Sequence, residues 1–169
     1  IVAQAANVNT VAGTTGIFSG PVSGLPAGTL IHFRAYATNS AGTSYSADTT
    51  FTTLVILPPV DTPTFADGTD TTATLGGTVS SDGGGAITER GTVWVLAADP
   101  DIVAQAANVN TVAGTTCIFS GPVSGLPSGT LIHFRAYATN SAGTSYSADT
   151  TFTTTTPAVP PTVDTPTFA

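Results

Sequence analysis

Very few side chains in this 169-residue sequence could do chemistry, and their spacing decides how far each can be taken. The histidines, His32 and His133, each sit on the polar phase of an alternating apolar run. No Cys, second His or carboxylate stands at the short spacings of a metal site, so both read as solvated side chains. Serine and threonine are abundant, but no glycine-flanked nucleophile turn leads into a helix, and one histidine per repeat does not build a triad. The expectation is a protein that is not an enzyme, with no catalytic residue, metal or cofactor.

Two acidic clusters, Asp67-Gly68-Thr69-Asp70 and Asp99-Pro100-Asp101, invite a calcium reading, because calcium collects several loop oxygens. Neither supplies enough ligands from one segment. Turn-forming aspartates are the favoured account, with a calcium-stiffened junction between domains as the alternative. Cys117 stands at the start of a strand, in phase with an inward Phe119, and is expected as a semi-buried free thiol or as half of an intermolecular disulfide. Trp94 reads as core. If exposed, it could join an outward Tyr137 and Tyr146 in a small aromatic patch, a candidate glycan contact.

Composition excludes several partners. Charged residues make up 8% of the chain against roughly 25% in ordinary soluble domains, there is no Lys, and three Arg face ten acids for a net charge of −7. A nucleic acid would be repelled, since binding one rests on clustered Lys and Arg. Without Lys no intramolecular Lys–Asn or Lys–Asp isopeptide bond can form. A single Cys excludes an internal disulfide, and no apolar run approaches the ~20 residues that span a bilayer.

These residues are positioned by a duplication. Residues 1–53 return as 102–154 with two differences, Gly16 to Cys117 and Ala27 to Ser128, and the heptapeptide 60–66 returns as 163–169. The period is about a hundred residues, a domain rather than a solenoid turn. The expected organisation is the C-terminal part of one repeat (1–53), a linker (54–59), a complete repeat (60–154), a Pro/Thr linker (155–162) and the first strand of a following repeat (163–169). In the first linker, Leu54, Val55, Ile56 and Leu57 are consecutive apolar residues. They are expected to pack on a neighbouring domain or chain, or else to prolong the last strand into the junction.

Within the complete repeat, short Val/Ile/Thr/aromatic segments recur between Gly, Pro, Asp and Asn, the pattern of an all-β sandwich. Pro63 places the 60–65 strand at an edge. A period of two over 72–79 puts Ala73, Leu75, Gly77 and Val79 on one face. The 89–96 strand is apolar on both faces, as for a central strand. Residues 99–107 read either as a helical turn capped by Asp101 or as a loop. The 131–139 strand should bury Ile132, Phe134, Ala136 and Ala138, expose His133, Arg135 and Tyr137, and form a hairpin with a last strand over 144–153.

The run Gly125-Leu126-Pro127-Ser128-Gly129-Thr130, followed by Phe134-Arg135-Ala136-Tyr137-Ala138-Thr139-Asn140-Ser141-Ala142-Gly143-Thr144, resembles the final strands of a fibronectin type III domain. With Thr72–Val79, Asp82-Gly83-Gly84 and Ile87-Thr88-Glu89-Arg90-Gly91, the repeat is similar to bacterial fibronectin type III-like modules strung along secreted and surface proteins. The family's tyrosine corner falls on Ile132, and on Ile31 in the first copy, so its hydroxyl tie is missing. The resemblance implies a seven-stranded β-sandwich in tandem and roles in spacing, adhesion or carbohydrate contact, with no shared catalytic residue. The expected function is an extracellular or cell-surface stalk, fibre or filament with copies of itself as partners. If chains begin near Ile1 and end near Ala169, they would join when a strand carrying Val163, Thr165 and Phe168 fills an open edge of another molecule's 1–53. The alternative is a carbohydrate-binding accessory module of a secreted polysaccharide-degrading enzyme.

Overall fold

The computed structural model describes residues 8–164 and resolves into two compact units, Ile1–Leu54 and Val55–Ala169. The first unit contains β1 (Leu30–Phe33), β2 (Tyr36–Asn39), β3 (Gly42–Tyr45) and β4 (Thr49–Thr52). β1 pairs antiparallel with β4, and β2 with β3.

The second unit runs through β5 (Val60–Ala66), β6 (Thr72–Val79), β7 (Glu89–Val95), β8 (Val109–Thr111), β9 (Cys117–Ser124), β10 (Leu131–Asn140), β11 (Gly143–Tyr146) and β12 (Thr150–Thr153). One sheet has the order β5-β6-β9; the other has the order β11-β10-β7-β8, with β12 also on β10. β11 meets the C-terminal half of β10 at Tyr137↔Tyr146, and β12 meets its N-terminal half at Phe134↔Thr150. They are one strand interrupted at residues 147–149, which leaves seven strands as three against four. The continuous strand expected over 144–153 breaks because the buried Ser147 hydroxyl accepts a hydrogen bond from Ala136 N at 3.0 Å and donates one to Ala148 O at 2.9 Å.

The core follows the pleat. Ala73, Leu75, Val123, Leu126, Ile132, Phe134 and Phe152 form one buried cluster with Trp94 against it, while Val60, Val79, Phe119, Ala136 and Ala138 form a second. Gly77 lies opposite Phe119 in the β6–β9 register. A Cβ there would run into the Cβ of Ala136, so glycine sets how closely the two sheets approach. β5 is an edge strand, paired only with β6 and bulged between Asp61 and Thr64, where Pro63 has no N–H to lose. Asp101 does cap a turn: its carboxylate accepts from Val103 N at 2.6 Å and Ala104 N at 3.3 Å, and its carbonyl from Gln105 N at 2.9 Å.

Candidate functional site

The reactive side chains are organised more tightly than their spacing suggested. His133 Nδ1 lies 2.7 Å from Asp149 Oδ2, and His32 Nδ1 is 2.7 Å from Asp48 Oδ2. Each histidine is therefore paired with a carboxylate sixteen residues on, across the β10–β12 hairpin and its duplicate. His133 is half-buried rather than solvated, because the break after β11 turns Asp149 toward it. Among the described residues no three His, Cys, Asp or Glu side chains converge as metal ligands.

The aromatic patch is not assembled. Tyr137 is fully buried, contrary to its outward phase on β10. The phase is right, but the outer face of that sheet is covered by the 99–108 segment. Ile102 N donates to the Tyr146 hydroxyl at 3.2 Å, and the Asp99 carboxylate stands 3.8 Å from the Arg135 guanidinium. Tyr137 lies over Gly91 and donates to the Glu89 carboxylate at 2.5 Å. Burial, and then this hydrogen bond, hold its phenol well above the usual tyrosine range. Tyr146 is half-buried, stacked under the Arg135 guanidinium at 4.9 Å from its ring centroid. Trp94 pairs with Phe134 on the opposite, core-facing side of the sheet. Trp94 and the two tyrosines therefore share no face.

Cys117 also departs from its phase. It opposes Val79 on the inward column of β9, yet it is exposed, because a φ of 81° rotates the side chain out of the pleat. Gly16 occupies this position in the first copy with a φ of 106°, a conformation glycine adopts without strain. The first linker is held by its backbone. Ile56 N donates to Gly83 O at 3.0 Å, Asn140 Nδ2 donates to Ile56 O and Asp82 O at 2.8 Å each, and Ser145 Oγ donates to the carbonyl of the buried Pro58. Val55 is half-buried, while Leu54, Ile56 and Leu57 point to solvent. Val163 is exposed, and Thr165 and Phe168 lie outside the described residues.

The feature that residue-by-residue reading missed is a face. The first unit repeats the local chemistry of 102–154 closely. Arg34 Nε donates to Ser46 O at 2.7 Å and Arg135 Nε to Ser147 O at 2.8 Å. Arg34 stands 5.1 Å from the Tyr45 ring, close to the distance between Arg135 and Tyr146. Burial is not repeated. Phe134, Phe152 and Phe119 are 0%, 7% and 4% exposed, whereas their duplicates Phe33, Phe51 and Phe18 are 51%, 43% and 54% exposed. The same side chains on the same hairpins form a core in one unit and an apolar surface in the other.

No protein-family model matches the chain, and no curated protein matches it. Among solved structures, the chain is similar to domains d3–d4 of the rat CD45 extracellular region, at TM-score 0.59 and 16% identity over 86% of this chain and 75% of that one. Weaker likenesses are to the FN1–FN3 domains of chicken CNTN1 (TM-score 0.43, 17% identity, 78% of this chain and 42% of that one) and to the sensor domain of the anti-sigma factor RsgI4 of Pseudobacteroides cellulosolvens (TM-score 0.42, 17% identity, 66% and 92%). The fold is a fibronectin type III-like β-sandwich. In such a sandwich the strands come from two stretches of chain: here β5, β6 and β7 from 60–101, and β8 to β12 from 102–154. Residues 1–53 duplicate the second of these stretches, 102–154.

Proposed function

We propose that this chain is a structural extracellular or cell-surface protein whose sandwich units are strung into a stalk, fibre or filament, with copies of itself as partners. The observation that carries it is the return of residues 1–53 as 102–154 with two differences, a repeat with the period of a whole domain. Low charge and a Thr/Ser-rich surface suit a protein whose work is reach. A unit of this class is roughly 35–40 Å long, from strands of 8–10 residues at about 3.3 Å each plus loops, so units add length in proportion to their number.

Leu54, Ile56, Leu57 and Val163 supply further exposed apolar side chains for assembly. In the complete unit the heptapeptide shared by 60–66 and 163–169 pairs with β6, and 1–53 holds no duplicate of β6. The glycan-binding alternative draws no support from Trp94, Tyr137 and Tyr146, which lie on two faces. Negative-stain electron microscopy of the native material tests the reading: end-to-end particles or filaments are expected, and isolated compact particles at every concentration would overturn it.

A further inference from the structure

Resting on the reading of units in a string, we infer that the complete unit carries a seat for the linker that enters it, and that residues 158–162 are the occupant of the same seat in the repeat opening at Val163. In the complete unit the seat is made by the 82–85 turn and the β10–β11 hairpin, and it holds 55–59. Asn140 stands at its centre. Its Oδ1 accepts from Ala142 N at 2.8 Å, which fixes the amide so that Nδ2 donates to both Ile56 O and Asp82 O. Ile56 N donates to Gly83 O at 3.0 Å, Ser145 Oγ donates to Pro58 O, and Ser80 N donates to Pro59 O at 3.2 Å.

The seat reads backbone and one proline ring. Each of these hydrogen bonds meets the linker at its main chain, and the linker side chain that is fully buried is Pro58. Glycine permits the approach: at Gly83, with a φ of 69°, a Cβ would collide with Ile56 O, and at Gly85 one would stand 2.7 Å from Val55 Cγ1. Such a seat accepts any linker that keeps the ring and the backbone groups. Counted back from the shared heptapeptide, Val159 takes the place of Ile56, Pro160 of Leu57, Pro161 of Pro58 and Thr162 of Pro59. Val159 brings the same N–H and C=O, Pro161 the same ring and carbonyl, and Thr162 the last carbonyl. Among the described residues no hydrogen bond uses the Leu57 N–H, so Pro160 takes nothing away. Ala158 in place of Val55 gives up only the contact over Gly85. Residues 54–57 and 157–160 share no identity, yet the features that the seat reads are present in both linkers.

A seated linker belongs to the unit it enters, so the freedom of a junction is confined to the residues before the seat. Three residue steps separate Thr53 from Ile56, and five separate Thr154 from Val159. The second junction therefore has two more residues of free chain, about 7 Å of added reach.

The test moves the second linker onto the seat that this chain contains. A full-length chain carrying Val55→Ala, Ile56→Val, Leu57→Pro and Pro59→Thr writes the sequence of 158–162 at 55–59. Amide exchange at position 56, followed by NMR, is compared with the same chain bearing Gly83→Ala, which obstructs the carbonyl at 56, and with the same chain bearing Asn140→Ala. Trp94 fluorescence in urea shows which of these are folded, and Ser145→Ala, which removes the bond to Pro58 O, replaces any that is not. Exchange at least tenfold slower with the seat intact than with it altered is expected, as in the parent sequence. A difference below tenfold would overturn the proposal, because the seat would then be particular to 55–59. Filaments without this protection would remove the seat and leave the structural reading standing; protection with isolated compact particles alone would do the reverse.

Discussion

Phe33 and Phe134 are the same residue in the same local sequence but lie in different units and differ in burial, so truncating each in turn reads the two units separately. Phe134 is fully buried and meets Phe152 edge to face, with ring centroids 5.8 Å apart and planes at 71°. Phe134→Ala should cost about 4 kcal/mol, within the range of buried Phe truncations with the aromatic pair included. A urea slope of about 1–2 kcal/mol per M turns that into a midpoint lowered by about 2–4 M. A unit of this size holds roughly 5–15 kcal/mol, so Phe134→Leu, costing about 1 kcal/mol, keeps the comparison measurable if the alanine variant unfolds. Trp94 is the chain's only tryptophan and packs against the Phe134 cluster, so its fluorescence follows the second unit alone. Phe33→Ala should leave the Trp94 midpoint unchanged to within about 0.3 M in dilute solution. A Trp94 midpoint that falls as far for Phe33→Ala as for Phe134→Ala would refute the assignment of the two phenylalanines to separate units.

Cys117→Gly should be about 1 kcal/mol more stable than Cys117→Ala in urea melts, because only glycine occupies the 81° φ without strain. Tyr137 links the second unit to alkaline pH. Its phenol is held above 10.0 when folded, so above pH 10 the unfolded chain releases a proton that the folded unit keeps. Stability then falls as pH rises, by up to about 1.4 kcal/mol per pH unit from this group, and Tyr137→Phe should make the alkaline arm of a stability–pH curve shallower. Asn140→Ala removes both hydrogen bonds donated to Ile56 and Asp82. It should cost about 2 kcal/mol and speed elastase cleavage at 54–57, read by gel against the parent chain.

Elements whose neighbours lie within the same pleat were legible in the sequence. β6 emerged with the expected bounds and inward column, and β5 took the edge that Pro63 demanded. Between the two readings of 99–107, a capped turn or a loop, the Asp101 carboxylate selects the turn. What escaped prediction depends on something out of register with the strand. The outward phase of Tyr137 was correct, but alternation carries no information about the 99–108 segment laid over that face. The inward phase of Cys117 assumed extended backbone, and a left-handed residue broke it. The His133–Asp149 pair depends on the interruption at 147–149, which originates in a single buried hydroxyl.

The bulge in β5 governs how this protein can be crowded. With Thr62 at a φ of 48° and Pro63 beside it, the outer rim of the three-stranded sheet lacks a straight run of free N–H groups, the feature through which flat edges zip together. The β5 edge is thereby denied the cheapest route to cross-β aggregation. Contact at this edge is diverted to surfaces that demand a matching side-chain pattern.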